Sequence, residues 1–199
     1  MKRKYIVAGA VIVLMIALIG ISFIKIAPVE QSNNNETIDD NLTSIMQEFT
    51  EYLNSDDSLK EDTKEYREVI SSNLRNSFNK LNTNTDMLLD GILDNATINI
   101  DELMKNIQND AKQFNSIIDD AYNNAKSNQY KTAYNAVKKY MQLQNDTIYK
   151  LVEVYKKDGS LSYDTFYEML HETHSLLSQE ETNGINFLSA VDNLIEENK

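Results

Sequence analysis

The chain's two histidines share a short segment with a glutamate at a spacing that metal sites use. The segment reads Glu168-Met-Leu-His171-Glu-Thr-His174. A Glu-x-x-His pair lies on one helix face in di-iron bundles, which also need a second such pair and two further Glu. The chain has no third histidine, so that site is excluded, and the His-Glu-x-x-His of metalloproteases is absent. We expect two partly exposed helix histidines; the alternative is an adventitious metal site or a pH-responsive contact.

A second candidate, residues 158–170, looks like the end of a calcium-binding EF-hand loop and its exit helix. With Gly159 at loop position 6, position 1 falls on Val154 and position 3 on Lys156, which are not calcium ligands. Position 12 falls on Thr165, where a bidentate Glu is required. The pattern therefore predicts a helix that ends with a glycine cap at Gly159.

Acidic pairs recur along the chain, where they could hold a divalent cation weakly or meet a basic partner. Charge runs on helices are usually solvated faces, and paired carboxylates for glycoside hydrolysis need a cleft that a narrow bundle offers little room for. We interpret them as surface charge. The pairs are Asp39-Asp40, Asp56-Asp57, Asp119-Asp120, Glu180-Glu181 and Glu196-Glu197.

The composition excludes several kinds of chemistry. The chain has no cysteine, so a disulfide, a thiolate nucleophile and a Cys-ligated zinc are all excluded. Residues 1–25 hold four basic residues and no acid, so the rest of this chain of net charge −12 carries −16. Such a domain should avoid nucleic acid. We expect a protein that is not an enzyme, with no catalytic residues, no cofactor and no metal.

Tyrosine concentrates in the C-terminal half of the chain. Five tyrosines lie off the main apolar stripes of the predicted helices, and tyrosine favours interfaces. They could form a sugar-stacking or protein-binding face; the alternative is the aromatic rim of a helical bundle. The five candidates for a partner-binding surface are Tyr130, Tyr140, Tyr149, Tyr163 and Tyr167.

An uncharged run of twenty residues, from Tyr5 to Ile24, predicts where the protein is located. As a helix it covers about 30 Å, the thickness of the hydrocarbon core of a bilayer. It is longer than the apolar region of a signal peptide and lacks the small-residue ending of a cleavage site. We expect a retained signal-anchor helix over 5–25. Three basic residues precede it and one follows, so residues 1–4 are expected in the cytoplasm.

The chain beyond the predicted span divides into a tether and a helical domain. Residues 26–36 hold the only proline and a polar tract without periodicity, which is typical of a flexible tether. Residues 37–199 show no strand alternation, and apolar residues recur at helical spacing. We therefore expect an all-α protein: one transmembrane helix, then an extracytoplasmic antiparallel bundle of four long helices and one or two short ones, with coiled-coil-like packing.

The first three predicted helices lie in the N-terminal half of the domain. The first starts at Thr37, carries an apolar stripe that includes Ile45, Phe49 and Tyr52 or Leu53, and ends in residues 54–57. The second starts at a Ser58–Glu61 capping box and is stopped by residues 82–85. Residues 86–94 are dense in apolar residues and predict a short third helix that plugs an end of the core.

The remaining helices have clearer boundaries. Asn99 is expected to cap the fourth, with Glu102 three residues on. A two-residue slip of the apolar register predicts a turn within 125–129, although one continuous helix with a stutter is the alternative. The fifth helix should end at Gly159, and the sixth should run from Ser162 to about Glu197, with a kink or brief exposure near Gly184.

Three classes of function remain for such a protein. The first is non-enzymatic: a membrane-anchored bundle that binds another protein of a bacterial envelope or surface assembly, or itself, by helix packing. The second is an extracytoplasmic binding or sensor module for a small ligand or wall polymer lodged between helices. The third is an envelope enzyme or a lysis-type factor, against which the missing nucleophile and metal motifs count.

Overall fold

The computed structural model describes residues 36–197, with side chains described for 44–194. Every regular element in this part of the chain is helical, which confirms the all-α prediction. The elements are α1 (Glu36–Leu53), α2 (Asp57–Glu65), a π-helical segment (Tyr66–Ile70), α3 (Ser71–Leu93), α4 (Ile100–Asn124), α5 (Asn128–Asp158), α6 (Tyr163–Ser175) and α7 (Gln179–Glu197).

The predicted cytoplasmic tip, span and tether lie outside the described residues, apart from Glu36, where α1 begins. None of the helices within 36–197 is both long enough and apolar enough to cross a bilayer. The anchor over 5–25 therefore stays a prediction.

The last turns of helix α1 pack against the bundle. Its end at Leu53 agrees with the predicted stop, and Leu53 is buried. The ring of Phe49 meets that of Phe187 edge-on, with the centroids 6.1 Å apart. The predicted stripe is only partly covered, however, because Ile45 is 50% exposed and Tyr52 is 43% exposed.

Helices α2 and α3 form one continuous rod through the π-helical segment, which corrects two predicted boundaries. The cap of α2 is Asp56, whose Oδ1 accepts from the backbone N–H groups of Ser58 and Leu59, so Ser58 lies inside the helix. The predicted stop at residues 82–85 is wrong. Leu81 and Thr85 continue the buried face, and Asn84 donates to Asp110 of α4 at 2.6 Å. The predicted short helix over 86–94 is therefore the end of α3.

The turn between α4 and α5 confirms the predicted break within 125–129. Helix α4 starts at the predicted cap, where Asn99 Oδ1 accepts from the backbone N–H of Glu102 at 3.2 Å. It ends at Asn124, and α5 begins at Asn128 with Ser127 as its cap. Residues 101–157 are thus two helices, and the continuous alternative is excluded.

The C-terminal third confirms two boundaries and corrects one. Helix α5 ends at Asp158 with Gly159 as its cap, and the φ of 73° at Gly159 is the left-handed conformation that glycine adopts without strain. Ser162 caps α6 as predicted. The single long sixth helix is wrong, because α6 ends at Ser175 and α7 begins at Gln179. Ser178 and Glu181 form a capping box there, with each side chain accepting from the other residue's backbone N–H.

Helix α4 runs antiparallel to α3, α5 runs antiparallel to α4, and α6 and α7 both run back along α5. In the α3–α4 pair, Asn84 contacts Asp110 and Phe78 contacts Phe114, so residue numbers rise along one helix as they fall along the other. Helix α5 is the longest, and α7 packs along its first half while α6 packs along its second. Gly184 makes the α5–α7 approach close, because a Cβ placed there would lie 2.9 Å from the Cβ of Ala136. Gly184 therefore marks a tight helix contact, where the sequence had predicted a kink.

Candidate functional site

The bundle is open along the side where α3 and α7 face each other. The most extensive helix pairings are α5 with α7 and α3 with α4, and α3 with α7 is not among them. Between these two helices lies a groove of about 600 Å³, with α5 and α4 forming its floor. Residues of α3 line it from Ser71 to Asp86, a distance of about 22 Å along the helix. The cavity is thus elongated and parallel to the bundle axis, and we call it the α3–α7 groove.

The body of the α3–α7 groove is apolar. The rings of Phe78 and Phe114 lie 6.2 Å apart across the α3–α4 contact. Around them the exposed surface of the floor and walls is mainly apolar, and Leu177 of the α6–α7 connection contributes to it. The apolar residues that line the groove include Leu74, Phe78, Phe114, Val137, Met141 and Ile185.

One end of the groove carries a hydrogen-bonded carboxylate. Asp192 of α7 accepts from the hydroxyl of Ser71 at 2.6 Å and from that of Tyr66 at 3.1 Å. The π-helical segment carries Tyr66 at its first position, and π segments are frequent at functional sites. Burial raises the pKa of Tyr66 well above its usual value, and the Asp192 charge raises it further. The phenol therefore stays protonated and remains a donor to the carboxylate.

Several polar residues outside that cluster also line the groove, among them Asp86 and Asn186. Asp86 of α3 is half-buried, and its burial, together with the nearby charge of Asp90, raises the pKa of the carboxyl above 3.8. Asn186 of α7 is only 8% exposed, and its Oδ1 has no hydrogen-bond partner among the described residues. Buried polar atoms are nearly always hydrogen-bonded, so this acceptor is an exception, and it is closed to the cavity.

The structure separates the five predicted surface tyrosines into two groups. Tyr130 is fully buried, where its hydroxyl lies 3.1 Å from Thr63 Oγ1, and Tyr140 is 9% exposed and accepts from Gln144. These two positions do not belong to an exposed face, because Tyr130 packs against α2 and Tyr140 lies between the groove and His174 of α6. Tyr149, Tyr163 and Tyr167 are exposed. Whether they bind a partner stays a prediction.

The two histidines differ in their surroundings. His171 is exposed, whereas His174 is half-buried and its ring stacks on Tyr140 with the centroids 6.1 Å apart. Burial lowers the pKa of His174, and the neighbouring His171 lowers it further. Among the side chains that the structure describes, no three His, Cys, Asp or Glu residues come together in a way that could hold a metal ion.

Tyr140, one of the five candidate tyrosines, lines the groove. Asp86, Asn186 and Asp192 were not singled out from the sequence, although one signal was present. Asp192 follows Ile185 and Leu188 at helical spacing, so it is a carboxylate on an otherwise apolar face. A charge at such a position needs a partner when the face is buried. Asp86 and Asn186 gave no comparable signal, because Asp86 follows the polar residues 82–85 and Asn186 carries no charge.

Comparisons with models of protein families, with curated proteins and with solved structures gave no match to this chain.

Proposed function

We propose that this protein is a membrane-anchored, extracytoplasmic helical bundle that binds a small, largely apolar molecule in the α3–α7 groove. The observation that carries the proposal is the groove itself. Its volume of about 600 Å³ falls within the range of about 300 to 1,000 Å³ that ligand pockets occupy. Its walls are mainly apolar, with a few polar groups, and this is the usual composition of such pockets.

The location in this proposal comes from the sequence. The twenty-residue apolar run over Tyr5 to Ile24 and its basic flank support a single span with residues 1–4 in the cytoplasm. The short tether over 26–36 would then keep the bundle close to the outer face of the membrane. A molecule that dissolves in or near the bilayer would meet the groove at high local concentration.

We propose a binding role without catalysis. The described lining of the groove contains neither histidine, cysteine nor lysine, the usual side chains for a nucleophile or general base near neutral pH. The carboxylate of Asp192 is engaged by two hydroxyl groups, which supports a role in holding α7 against the π-helical segment.

Photolabelling of the full-length protein in phosphatidylcholine nanodiscs tests the proposal. The probe is an uncharged trifluoromethyl phenyl diazirine, and mass spectrometry maps the labelled peptides. We expect labels on α3, α5 and α7 at residues that line the groove, besides labels on the predicted span. Labelling of the span serves as an internal standard for probe dissolved in lipid.

A matched pair of variants makes this result decisive. Ser189 lines the groove from α7, so Ser189→Phe should fill part of it and reduce labelling of the groove severalfold. Ser72 is exposed and does not line the groove, so Ser72→Phe should leave the labelling unchanged. A wild-type groove without label, or equal labelling in wild-type and Ser189→Phe protein, would refute the proposal.

The exposed tyrosines favour a second candidate, binding to another envelope protein or to a second copy of this chain. Tyr149, Tyr163 and Tyr167 keep large aromatic rings in contact with solvent. Crosslinking in intact cells from a photoreactive residue at Tyr163 or Tyr167 tests this candidate. Capture of one defined protein supports it, whereas capture of a glycan would indicate a wall polymer.

A further inference from the structure

The charges that line the α3–α7 groove narrow the class of ligand. Asp86 and Asp192 contribute two negative charges and Arg75 one positive charge. Arg75 already has an interaction partner, and Asp192 accepts from the hydroxyl groups of Tyr66 and Ser71. The groove therefore has a net negative charge, in a domain whose charge beyond residue 25 is −16.

Of the two acidic residues that line the groove, Asp86 is the one whose negative charge a bound cation would stabilise more. It lies near the opposite end of the groove from Asp192, four residues before Asp90 on the same face of α3. Partial burial removes water from its carboxylate, and the charge of Asp90 repels it. A cation at this position would offset both effects, whereas an anion would add to the repulsion.

Asn186 lines the groove from α7, but its Oδ1 is buried and closed to the cavity. This acceptor without a partner therefore places no requirement on the ligand.

We propose that the ligand of the groove is a cationic amphiphile, with a protonated amine beside Asp86 and an extended apolar body along α3 and α7. This inference rests on the proposed ligand-binding function and names its chemical class. The apolar body lies against residues such as Phe78 and Ile185.

Competition against the diazirine photoprobe tests the charge preference in the full-length protein in phosphatidylcholine nanodiscs. The competitors are 4-phenylbutylammonium, 4-phenylbutanol and 4-phenylbutyrate, which share one apolar body and differ in the head group. We expect the ammonium compound to halve groove labelling at a concentration about tenfold below that of the carboxylate. The alcohol should fall between them.

Two variants with the same substitution locate the preference. In Asp86→Asn protein the advantage of the ammonium compound over the carboxylate should largely disappear while groove labelling by the uncharged photoprobe persists. Asp146 is exposed on α5 and does not line the groove, so Asp146→Asn should keep the wild-type ratio.

The outcomes distinguish this inference from the proposed function. Intact groove labelling with equal competition by cation and anion, or with the anion ahead, would overturn the inference alone. A preference that survives Asp86→Asn would overturn the assignment to Asp86. Absence of groove labelling in wild-type protein would overturn the proposed function, and the inference with it.

Discussion

The carboxylate of Asp62 caps a helix from a distant part of the chain, so its removal should destabilise the bundle strongly. Asp62 lies on α2 and is 3% exposed. Both of its oxygens lie 3.0 Å from the backbone nitrogen of Lys126, and Oδ2 lies 2.6 Å from that of Ser127. These two N–H groups are at the start of α5, where the positive end of the helix dipole favours a negative charge.

The magnitude follows from these contacts. A hydrogen bond to a charged group contributes about 1.5 to 3 kcal/mol, and Asp62→Ala removes the acceptor of two backbone donors. The variant also removes the cost of burying a carboxylate, which offsets part of the loss. We expect the free energy of unfolding to fall by about 3 kcal/mol. With a urea m-value of about 2 kcal/mol/M, the midpoint should fall by about 1.5 M.

The assay is urea unfolding of the full-length protein in nanodiscs, followed by far-ultraviolet circular dichroism. Glu61→Ala is the matched control, because Glu61 pairs with the Nζ of the same Lys126 at 2.6 Å but on the exposed surface. The control should unfold close to wild type. Asp62→Asn keeps one carbonyl acceptor and should fall between wild type and Asp62→Ala.

Equal midpoints for Asp62→Ala and Glu61→Ala would refute the reasoning. That result would mean that water or a rearranged turn satisfies the donors of α5 as well as the buried carboxylate does. An Asp62→Asn variant as unstable as Asp62→Ala would show that the full negative charge is required, which would shift the explanation from hydrogen bonding to the helix dipole.

Four shorter predictions concern packing, pH and location. Gly184→Val should lower the free energy of unfolding by about 1 to 3 kcal/mol in a urea titration, because the facing α5 backbone leaves no room for a branched side chain. The lowered pKa of His174 means that the unfolded chain binds the proton more readily than the folded chain, so the melting temperature should fall as pH drops below 6.5. His174→Gln should weaken this dependence of the melting temperature on pH, whereas His171→Gln should not. The raised pKa of Asp86 predicts the opposite dependence of stability on pH, because the folded chain binds this proton more tightly than the unfolded chain. Stability should therefore fall as pH rises above 3.8, and Asp86→Asn should melt at a higher temperature than wild type at pH 7 but not below pH 3.8. Cell fractionation with external protease should leave the full-length protein in the membrane with its C-terminal domain accessible, and a shortened, freely soluble form would contradict the anchor.

Helix ends that depend on neighbouring residues were predictable from the sequence. Asn99, Gly159 and Ser162 end or begin helices as expected, because each acts on backbone groups within one turn of itself. The same local device was present at Ser178 and Glu181, and it accounts for the missed break between α6 and α7. A capping box inside a long helical pattern is therefore a boundary signal in its own right.

Other boundaries depend on residues far away in the chain. Helix α3 continues through residues 82–85 because Asn84 finds Asp110 on α4, although asparagine and threonine are weak helix formers. The start of α5 was visible as a register slip, but the backbone N–H groups just before it are bound by Asp62, more than sixty residues earlier. Neither partner can be identified from local spacing.

The sequence alone was sufficient for the all-α class, for most helix ends and for the apolar stripes, because these follow from interactions between residues three or four positions apart. The candidate site was not predictable in this way. Tyr130 and Tyr140 lie off the main stripes yet are buried, because neighbouring helices cover them. The α3–α7 groove exists because α7 packs closely on α5 at Gly184 and leaves its other side apart from α3. Only the arrangement of whole helices decides which faces meet and which remain open, and that arrangement brings Asp86, Asn186 and Asp192 to one cavity.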